Sequence, residues 1–482
     1  MEILIRCAAH HPKGGAKRSL KSAFSAICPK PTRVKIKINH KAVDFSPEMC
    51  DNRKGILCTN EKDSNRIWRN AIMKKFMALL LALAMVLSMA ACGGSSAPAA
   101  TEAPKADAPA AEAPKAEAPA EYRVAMVTDY GDITDQSFNQ TTWEAVIEFG
   151  EANGVDYKYY KPTTNDTAGR VASVELAIAE GYNVIVMPGY AFGGTIAEVS
   201  GQYPDIKFIA LDVSAGDLLE GGVALKGESY DYNPSNWNLT DYVYMDNVYC
   251  AIYQEELSGY MAGYAAVKLG YTKLGFLGGM AVPAVVRFGY GYVQGVDAAA
   301  KELGITVDMN YAYGNQFFGD ADITAVMDTW YQGGTEIVFA CGGGIWSSAA
   351  EAAKKVGGKV IGVDTDQSPV IDAAFGEGIT VTSAMKGLRP TTIDTLTDVV
   401  VGGNWANYAG KIDTLGLVSA DPEANYVQLP IATTQFEEGK FTEADYAAMV
   451  KAMFEGTITV SNDTSAMPAV TNVTINDQGN LK

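Results

Sequence analysis

The sequence predicts an α/β protein whose folded body has two lobes, each a doubly wound parallel sheet, with a ligand cleft between them. Short continuous runs of Val, Ile and Leu alternate with amphipathic stretches of ten to eighteen residues. This pattern is typical of parallel strands with helices on both faces. The body covers residues 122–482. One sheet built from so many residues would be oversized, so two α/β lobes are expected.

Each expected strand is a short apolar run, and each expected helix is a longer stretch with apolar residues three and four positions apart. The strands are expected, in chain order, at Arg123–Val127, Asn183–Pro188, Lys207–Asp212, Lys273–Gly278, Glu336–Cys341, Lys359–Asp364 and Gly378–Ser383. The helices are expected at Asn139–Ala152, Ala168–Glu180, Gln254–Leu269, Val285–Leu303, Ser347–Val356 and Thr391–Val401.

The chain is expected to pass between the lobes three times, near 246–250, near 384–388 and once more in the C-terminal third. The first lobe would then hold about 122–248 together with part of 386–482. The second lobe would hold about 249–385 together with part of the C-terminal third.

The net charge of −18 is unevenly distributed along the 482 residues. Residues 1–72 carry 15 Lys and Arg against 6 Asp and Glu, whereas the rest of the chain carries 23 against 50. A body this acidic would repel phosphate backbones, which argues against nucleic-acid binding. All three histidines, His10, His11 and His40, lie within the first 72 residues. The absence of histidine from the body excludes His–metal sites and Ser-His-Asp chemistry there.

A secretory signal peptide is expected at residues 73–91. Two lysines after Met73 precede an uncharged apolar stretch that is too short to span a bilayer as a helix. The signal ends in a quartet that resembles a bacterial lipobox, a motif whose cysteine is diacylated and becomes the mature N-terminus: Met89-Ala90-Ala91-Cys92. We therefore expect Cys92 to carry the lipid. The alternative is an ordinary signal peptide with a chance cysteine.

The segments on either side of this signal have different expected roles. Residues 1–72 precede a signal that would normally start a protein, so Met73 is expected to be the true start and 1–72 a translated leader with no predicted fold. From Gly93 to Glu121 the chain contains 12 Ala and 5 Pro, which preclude a regular helix and a core. Residues 92–121 are therefore expected to tether the body to the extracytoplasmic face of the cell membrane.

Polar side chains follow the predicted strands at their carboxyl ends, where ligand sites form on sheets of this kind. Asp129, Asp212 and Asp364 each stand at the end of a predicted strand, and Lys386 follows the last one. A single Asp in such a place could simply cap the next helix. Three acids together with one lysine indicate a binding cleft instead.

Eight motifs occur in order along nearly the whole body. They are Val127-Thr128-Asp129, Asp135-x-Ser137-Phe138-Asn139-Gln140-x-x-Trp143, Tyr203-Pro204-Asp205-x-x-Phe208-x-x-x-Asp212, Glu255-Glu256-x-x-Gly259-Tyr260-x-Ala262-Gly263, Gly278-Gly279-Met280, Gly291-x-x-x-Gly295, Gly362-Val363-Asp364-Thr365-Asp366-Gln367 and Thr382-Ser383-Ala384-Met385-Lys386. Together they resemble the basic membrane lipoprotein family of solute-binding proteins. The resemblance implies the type I periplasmic-binding-protein fold and delivery of ligands, often purine nucleosides, to an ABC permease and its ATPase. The segment 213–246 is longer than the usual connection at that point of the fold.

The resemblance also implies which residues hold the ligand: Asp129, Phe138, Asn139, Asp212, Phe318, Gly343, Asp364 and Lys386. A purine is a flat ring that needs aromatic plates and a few hydrogen bonds at its edges. Phe138 and Phe318 would cover its two faces, with Phe317 as the alternative to Phe318. Asp364 and Lys386 would address the ribose, and the other polar side chains would address polar edges elsewhere in the ligand.

A monomeric binding protein without a cofactor or catalytic residues is therefore expected. Every argument from composition applies equally to a sugar- or amino-acid-binding receptor of the same fold, so that receptor stays open as an alternative. A nucleoside-processing enzyme is the second alternative, and it would need a catalytic set. Gly289-x-Gly291 lies inside a predicted helix rather than after a strand, so it does not have the context of a dinucleotide-binding motif.

Overall fold

The computed structural model describes residues 5–7, 34–38, 41–45 and 122–482. The chain divides into two compact units, Met1–Ala113 and Pro114–Lys482. The predicted signal peptide, Cys92 and the predicted tether lie outside the described residues. No helix in the described part of the chain is long and apolar enough to cross a membrane.

The first unit contains a small antiparallel sheet. Its strands are β1 (Ile5–Cys7), β2 (Val34–Ile38) and β3 (Lys41–Phe45), in the order β1-β2-β3. The sequence predicts no fold for residues 1–72, so it does not anticipate these three strands.

Residues 122–482 form two open sheets. In chain order their strands are β4 (Arg123–Val127), β5 (Asp156–Tyr160), β6 (Val184–Pro188), β7 (Lys207–Leu211), β8 (Val248–Tyr253), β9 (Lys273–Gly278), β10 (Val307–Tyr313), β11 (Ile337–Cys341), β12 (Lys359–Asp364), β13 (Thr380–Lys386), β14 (Lys411–Leu415), β15 (Val427–Gln428) and β16 (Val473–Asn480). The first sheet has the order β14-β8-β7-β6-β4-β5 and is parallel throughout. The second has the order β15-β13-β12-β11-β9-β10-β16 and is parallel except for β15.

Helices connect the strands in both sheets. In chain order they are α1 (Phe138–Asn153), α2 (Thr167–Ala179), α3 (Gly193–Val199), α4 (Ala215–Leu225), α5 (Glu255–Lys268), α6 (Pro283–Leu303), α7 (Ala321–Gln332), α8 (Trp346–Val356), α9 (Ser368–Phe375), α10 (Leu388–Leu396) and α11 (Glu443–Phe454). A π-helical turn at Thr397–Val401 continues α10. The predicted α/β fold with two parallel-sheet lobes is confirmed.

Both faces of each sheet are buried, which explains why the central strands are continuous apolar runs. In β4, Ala125 and Val127 enter one hydrophobic cluster, whereas Val124 and Met126 enter another. Alternate residues of a strand point to opposite faces, so helices cover both sides of this sheet.

Within 122–482 the chain passes between the two sheets three times. It leaves the first sheet after Tyr253, returns after Lys386, and leaves again between β14 and β15. The predicted first crossing near 246–250 is therefore placed too early. β8 pairs with β7 in the first sheet, so the first lobe extends through Tyr253.

Helices α5 and α6 approach so closely that their backbones touch. A Cβ atom on Gly291 of α6 would lie 2.1 Å from the carbonyl oxygen of Glu256, and one on Gly259 of α5 would lie 2.2 Å from that of Phe288. Only glycine permits this approach. The contact fixes the first residues of α5, directly after the first crossing, against the first turns of α6.

Candidate functional site

A cavity of about 410 Å³ lies between the two lobes. Its walls are built mainly from residues at or just after the carboxyl ends of strands in both sheets, as expected for parallel α/β folds. All eight residues predicted to bind the ligand line this cavity: Asp129, Phe138, Asn139, Asp212, Phe318, Gly343, Asp364 and Lys386. The structure thus brings the predicted residues together.

Lys386, the last residue of β13, stands at the centre of a buried cluster of carboxylates. Its ammonium group contacts the carboxylate of Asp212 and lies 3.5 Å from Glu255 Oε1 and 3.7 Å from Asp364 Oδ1. Burial opposes the positive charge, but the carboxylates of Asp212 and Asp364 outweigh it and raise the pKa of Lys386. For Asp212 the effect of burial prevails. It raises the pKa of the carboxyl group to about 7, although Lys386 acts to lower it.

Asp212 and Asp364 occupy matching positions in the two lobes. Asp212 directly follows β7 and Asp364 ends β12, and both adopt left-handed backbone conformations, with φ values of 60° and 66°. Aspartate adopts this region more readily than most residues, yet it remains uncommon and is found disproportionately at functional sites. Each lobe therefore contributes one strained aspartate to the surroundings of Lys386.

A second polar group lies at the start of α1 in the first lobe. Asp129 Oδ1 accepts hydrogen bonds from the backbone amides of Tyr130 (2.6 Å) and Gly131 (2.7 Å) and from Asn139 Nδ2 (3.1 Å). Asn139 Nδ2 also donates to Asp135 Oδ2 at 3.0 Å. The amide of Asn139 is thus engaged within its own lobe, and it orients Asp129 at the cavity wall.

Aromatic rings form two parts of the cavity wall. Phe138 is the first residue of α1, and its ring lies 4.8 Å from the Lys386 ammonium. Phe317 packs tightly on Gly279, since a Cβ atom added to Gly279 would lie 2.4 Å from the ring of Phe317. Phe318, by contrast, is 56% exposed. Of the two adjacent rings, Phe318 therefore has the more accessible face.

Besides the contact of Lys386 with Asp212, two further hydrogen bonds join the lobes beside the cavity. Ser137 Oγ, just before α1, donates to Asp364 Oδ2 at 2.5 Å. Gln367 Nε2 in the second lobe donates to the carbonyl oxygen of Gln136 at 3.0 Å. These contacts across the cleft are absent from the predicted site, because no local pattern marks a bond between distant segments.

Glu255 and Arg287 are further site residues that sequence reasoning misses. Glu255 begins α5 and is fully buried, and Arg287 in the first turns of α6 donates from Nε to Glu255 Oε2 at 2.6 Å. Burial disfavours a charged Glu255, but Arg287 and Lys386 outweigh this and lower its pKa. An acid in a helix's first turn has an ordinary explanation in the helix dipole, which hides the role of Glu255 in the sequence.

The connection after Asp212, predicted to be longer than usual, also reaches the cavity. It contains α4 and several short turns, and its residues Ser214 and Asp217 line the cavity wall. The backbone amide and the side-chain hydroxyl of Ser214 both donate hydrogen bonds to the carboxylate of Asp217. These bonds cap the N-terminus of α4. Burial raises the pKa of Asp217.

The cavity offers hydrogen bonding, charge and aromatic stacking. Within the described residues no cluster of three potential metal ligands occurs. Cys341 lines the cavity, but burial raises the pKa of its thiol well above the usual value, so the thiolate is disfavoured. Such a site is suited to binding a small polar molecule with a flat apolar part.

Comparison with known proteins gives one family and several relatives. A model of the Bmp family, described as ABC transporter substrate-binding protein PnrA-like, matches residues 122–426. The ABC transporter nucleoside-binding protein BmpA of Lactococcus lactis subsp. cremoris is 27% identical over 300 residues, which cover 60% of this chain and 72% of that protein. The CD4+ T-cell-stimulating antigen of Listeria monocytogenes is 27% identical over 370 residues, covering 72% and 91%.

Solved structures show the same fold. An ABC transporter solute-binding protein from Conexibacter woesei aligns with a TM-score of 0.52 at 19% identity, covering 71% of this chain and 99% of that one. A solute-binding protein from Aeropyrum pernix K1 aligns with a TM-score of 0.50 at 22% identity, covering 71% and 88%. The fold of residues 122–482 is therefore that of these ABC transporter solute-binding proteins.

Proposed function

Because the chain belongs to the Bmp family of PnrA-like ABC transporter substrate-binding proteins, we propose that it captures purine nucleosides and delivers them to the permease and ATPase of an ABC importer. The relative from Lactococcus lactis is named a nucleoside-binding protein, which supports this choice of ligand. In the same proposal the protein acts as a monomer, without a cofactor and without turning the ligand over.

The observation that carries the proposal is the pairing of aromatic walls with one buried polar cluster. Phe138 and the exposed ring of Phe318 both line the cavity, and each offers an apolar face to a flat base. Asp364 and Lys386 lie within 3.7 Å of each other and can bind the hydroxyls of a ribose. A ligand with one flat apolar part and one polyhydroxylated part satisfies both groups.

Asp129 gives a second polar contact for such a ligand. Its Oδ1 is held by three donors of the first lobe, while Oδ2 has no partner among the described residues. A free carboxylate oxygen can accept a hydrogen bond from the N–H edge of a purine. We assign this edge to Asp129, with Asn139 positioning it.

Mass spectrometry of the ligand released from protein purified without added solute tests the proposal. A purine nucleoside is expected in the released fraction. Recovery of a sugar or an amino acid at one molecule per chain would instead favour a receptor of the same fold for that solute. Release of a free base from added nucleoside, catalysed by purified protein, would favour the enzyme alternative.

Closure around the ligand follows from the contacts between the lobes. A ligand held between the lobes contacts both only in the closed state and so stabilises that state. Saturating nucleoside should therefore reduce the radius of gyration measured by small-angle X-ray scattering. Identical scattering with and without nucleoside would contradict the closure model.

Ser137→Ala removes the hydrogen bond to Asp364 across the cleft, so it should leave more molecules in the open state and weaken nucleoside binding by up to about tenfold. Ser229→Ala, in an exposed loop, is the control.

Membrane attachment is proposed from the sequence around Cys92. Diacylation of this cysteine would anchor the body at the extracytoplasmic face of the membrane, because two acyl chains suffice for stable anchoring. Cys92→Ala should release the protein into the soluble fraction and leave its nucleoside affinity unchanged, since the tether separates anchor and cavity. Fractionation of expressing cells followed by immunoblotting measures this. A variant that stays in the membrane pellet would contradict the lipid anchor.

A further inference from the structure

Lys386 has little capacity left for a ligand. It contacts Asp212 and Glu255 by hydrogen bonds and has Asp364 at 3.7 Å, so three carboxylates surround its ammonium group. Only 3% of the side chain is exposed. An ammonium group has three N–H donors; two of them donate to Asp212 and Glu255, which leaves one for the ribose hydroxyls.

Arg287 is the other cation of the cavity wall, and its donors are differently engaged. Its Nε donates to Glu255 Oε2 at 2.6 Å. Its two terminal amino groups have no acceptor among the described residues, although the side chain is only 16% exposed and lines the cavity. A guanidinium group has five donors in a rigid fork and accepts nothing. Four N–H groups of Arg287 are therefore available to an acceptor in the cavity.

The position of Arg287 indicates which part of a ligand it meets. One carboxylate joins the two cations, since Glu255 Oε1 faces Lys386 and Oε2 faces Arg287. Arg287 thus borders the cluster assigned above to the ribose. The backbone contact between α5 and α6 holds Glu255 and Arg287 together at this place.

Resting on the nucleoside-binding function proposed above, we propose that Arg287 is a specificity-determining residue that donates to the 5′-oxygen of the ligand's ribose. The vicinal 2′- and 3′-hydroxyls can share one carboxylate, Asp364. The 5′-hydroxyl is then the remaining sugar hydroxyl that needs a polar partner, and its oxygen is an acceptor for the guanidinium fork.

The surrounding carboxylates restrict this contact to a neutral ligand. Asp212 and Asp217 line the cavity with Arg287, and Glu255 already balances its charge. A 5′-phosphate would bring up to two negative charges next to these acids, and like charges repel strongly when buried. The site should therefore accept nucleosides and reject nucleotides.

The test combines changes in the protein with changes in the ligand. Calorimetric titrations would measure adenosine, 5′-deoxyadenosine, 2′-deoxyadenosine and AMP against the natural protein, Arg287→Met and Arg287→Lys. Arg389→Met is the matched control, because Arg389 is exposed and pairs with Glu148 away from the cavity lining. Circular dichroism and melting check that each variant is folded.

In the natural protein, loss of the 5′-hydroxyl should weaken binding about 10- to 150-fold, the usual range for a hydrogen bond to a charged group. Arg287→Met should bind adenosine with an affinity reduced by a similar factor. This variant should bind 5′-deoxyadenosine no more weakly than it binds adenosine. The effect of removing the 2′-hydroxyl should be the same in both proteins. A merely structural role for Arg287 would weaken all nucleosides alike, which would overturn the proposal.

Two further outcomes separate this proposal from the function on which it rests. If Arg287→Met does not fold, Arg287→Lys takes its place. In that variant, the loss of affinity from adenosine to 5′-deoxyadenosine should be smaller than in the natural protein. An unchanged loss in that variant would overturn the role of Arg287 while adenosine binding still supported the proposed function. A natural protein that binds none of the nucleosides would overturn the proposed function itself.

Discussion

Asp364→Ala should weaken nucleoside binding about 10- to 150-fold, because it removes a charged acceptor from buried ribose hydroxyls. The free base lacks the ribose, so its weaker affinity should barely change in the same variant. Asp364 also lies in the left-handed region, where alanine is disfavoured. Asparagine tolerates that conformation, so Asp364→Asn is the matched control. Its loss of nucleoside affinity should be intermediate between those of the natural protein and Asp364→Ala.

Phe318→Ala gives the contrasting pattern that makes the first result interpretable. Stacking involves only the base, so this variant should weaken nucleoside and free base by similar factors. Titration calorimetry of both ligands with both variants measures the difference, and melting curves close to those of the natural protein exclude misfolding. A folded Asp364→Ala protein with normal nucleoside affinity would contradict the ribose assignment and favour a sugar or amino-acid receptor.

Gly291→Ala should lower the free energy of unfolding by about 1–3 kcal/mol or more, the usual cost of overpacking. The added Cβ would lie 2.1 Å from the carbonyl oxygen of Glu256, and a backbone atom cannot move aside without displacing α5. Because α5 also carries Glu255, nucleoside affinity should fall together with stability. Urea unfolding followed by circular dichroism measures the first effect.

Gly216→Ala in α4 is the control for this substitution. A Cβ there meets no atom closer than 3.5 Å, so the change adds helix propensity without a clash. It should leave the protein as stable as before or slightly more stable. Equal stability of Gly291→Ala and the natural protein would mean that α5 and α6 do not touch through their backbones.

The sequence predicts those elements of the fold whose signal is local. The strands β4, β6, β9, β11 and β12 coincide closely with the predicted apolar runs, because both faces of each are buried. β5 and β16 are not predicted, because they lie at sheet edges and are largely exposed. β10 is missed because Asp308 and Asn310 interrupt its apolar run.

The same distinction applies to the site. Strand ends identify Asp129, Asp212 and Asp364, because the carboxyl ends of parallel strands meet at one edge of each sheet. The hydrogen bond from Ser137 to Asp364 joins residues 227 positions apart, and no local pattern marks it. Arg287 lies inside an apolar helical stretch, and its place on the cavity wall depends on how α6 packs against α5, which no local pattern marks.

One purine nucleoside is expected to bind in the cavity between the lobes, and isothermal titration calorimetry of the purified protein tests this most directly. Guanosine, adenosine, uridine, ribose and a mixture of amino acids would be titrated under the same conditions. We predict saturable binding of guanosine or adenosine at one molecule per chain, and no measurable binding of ribose or amino acids. Saturable binding of ribose or an amino acid, with no heat from either purine nucleoside, would contradict nucleoside binding in this cavity.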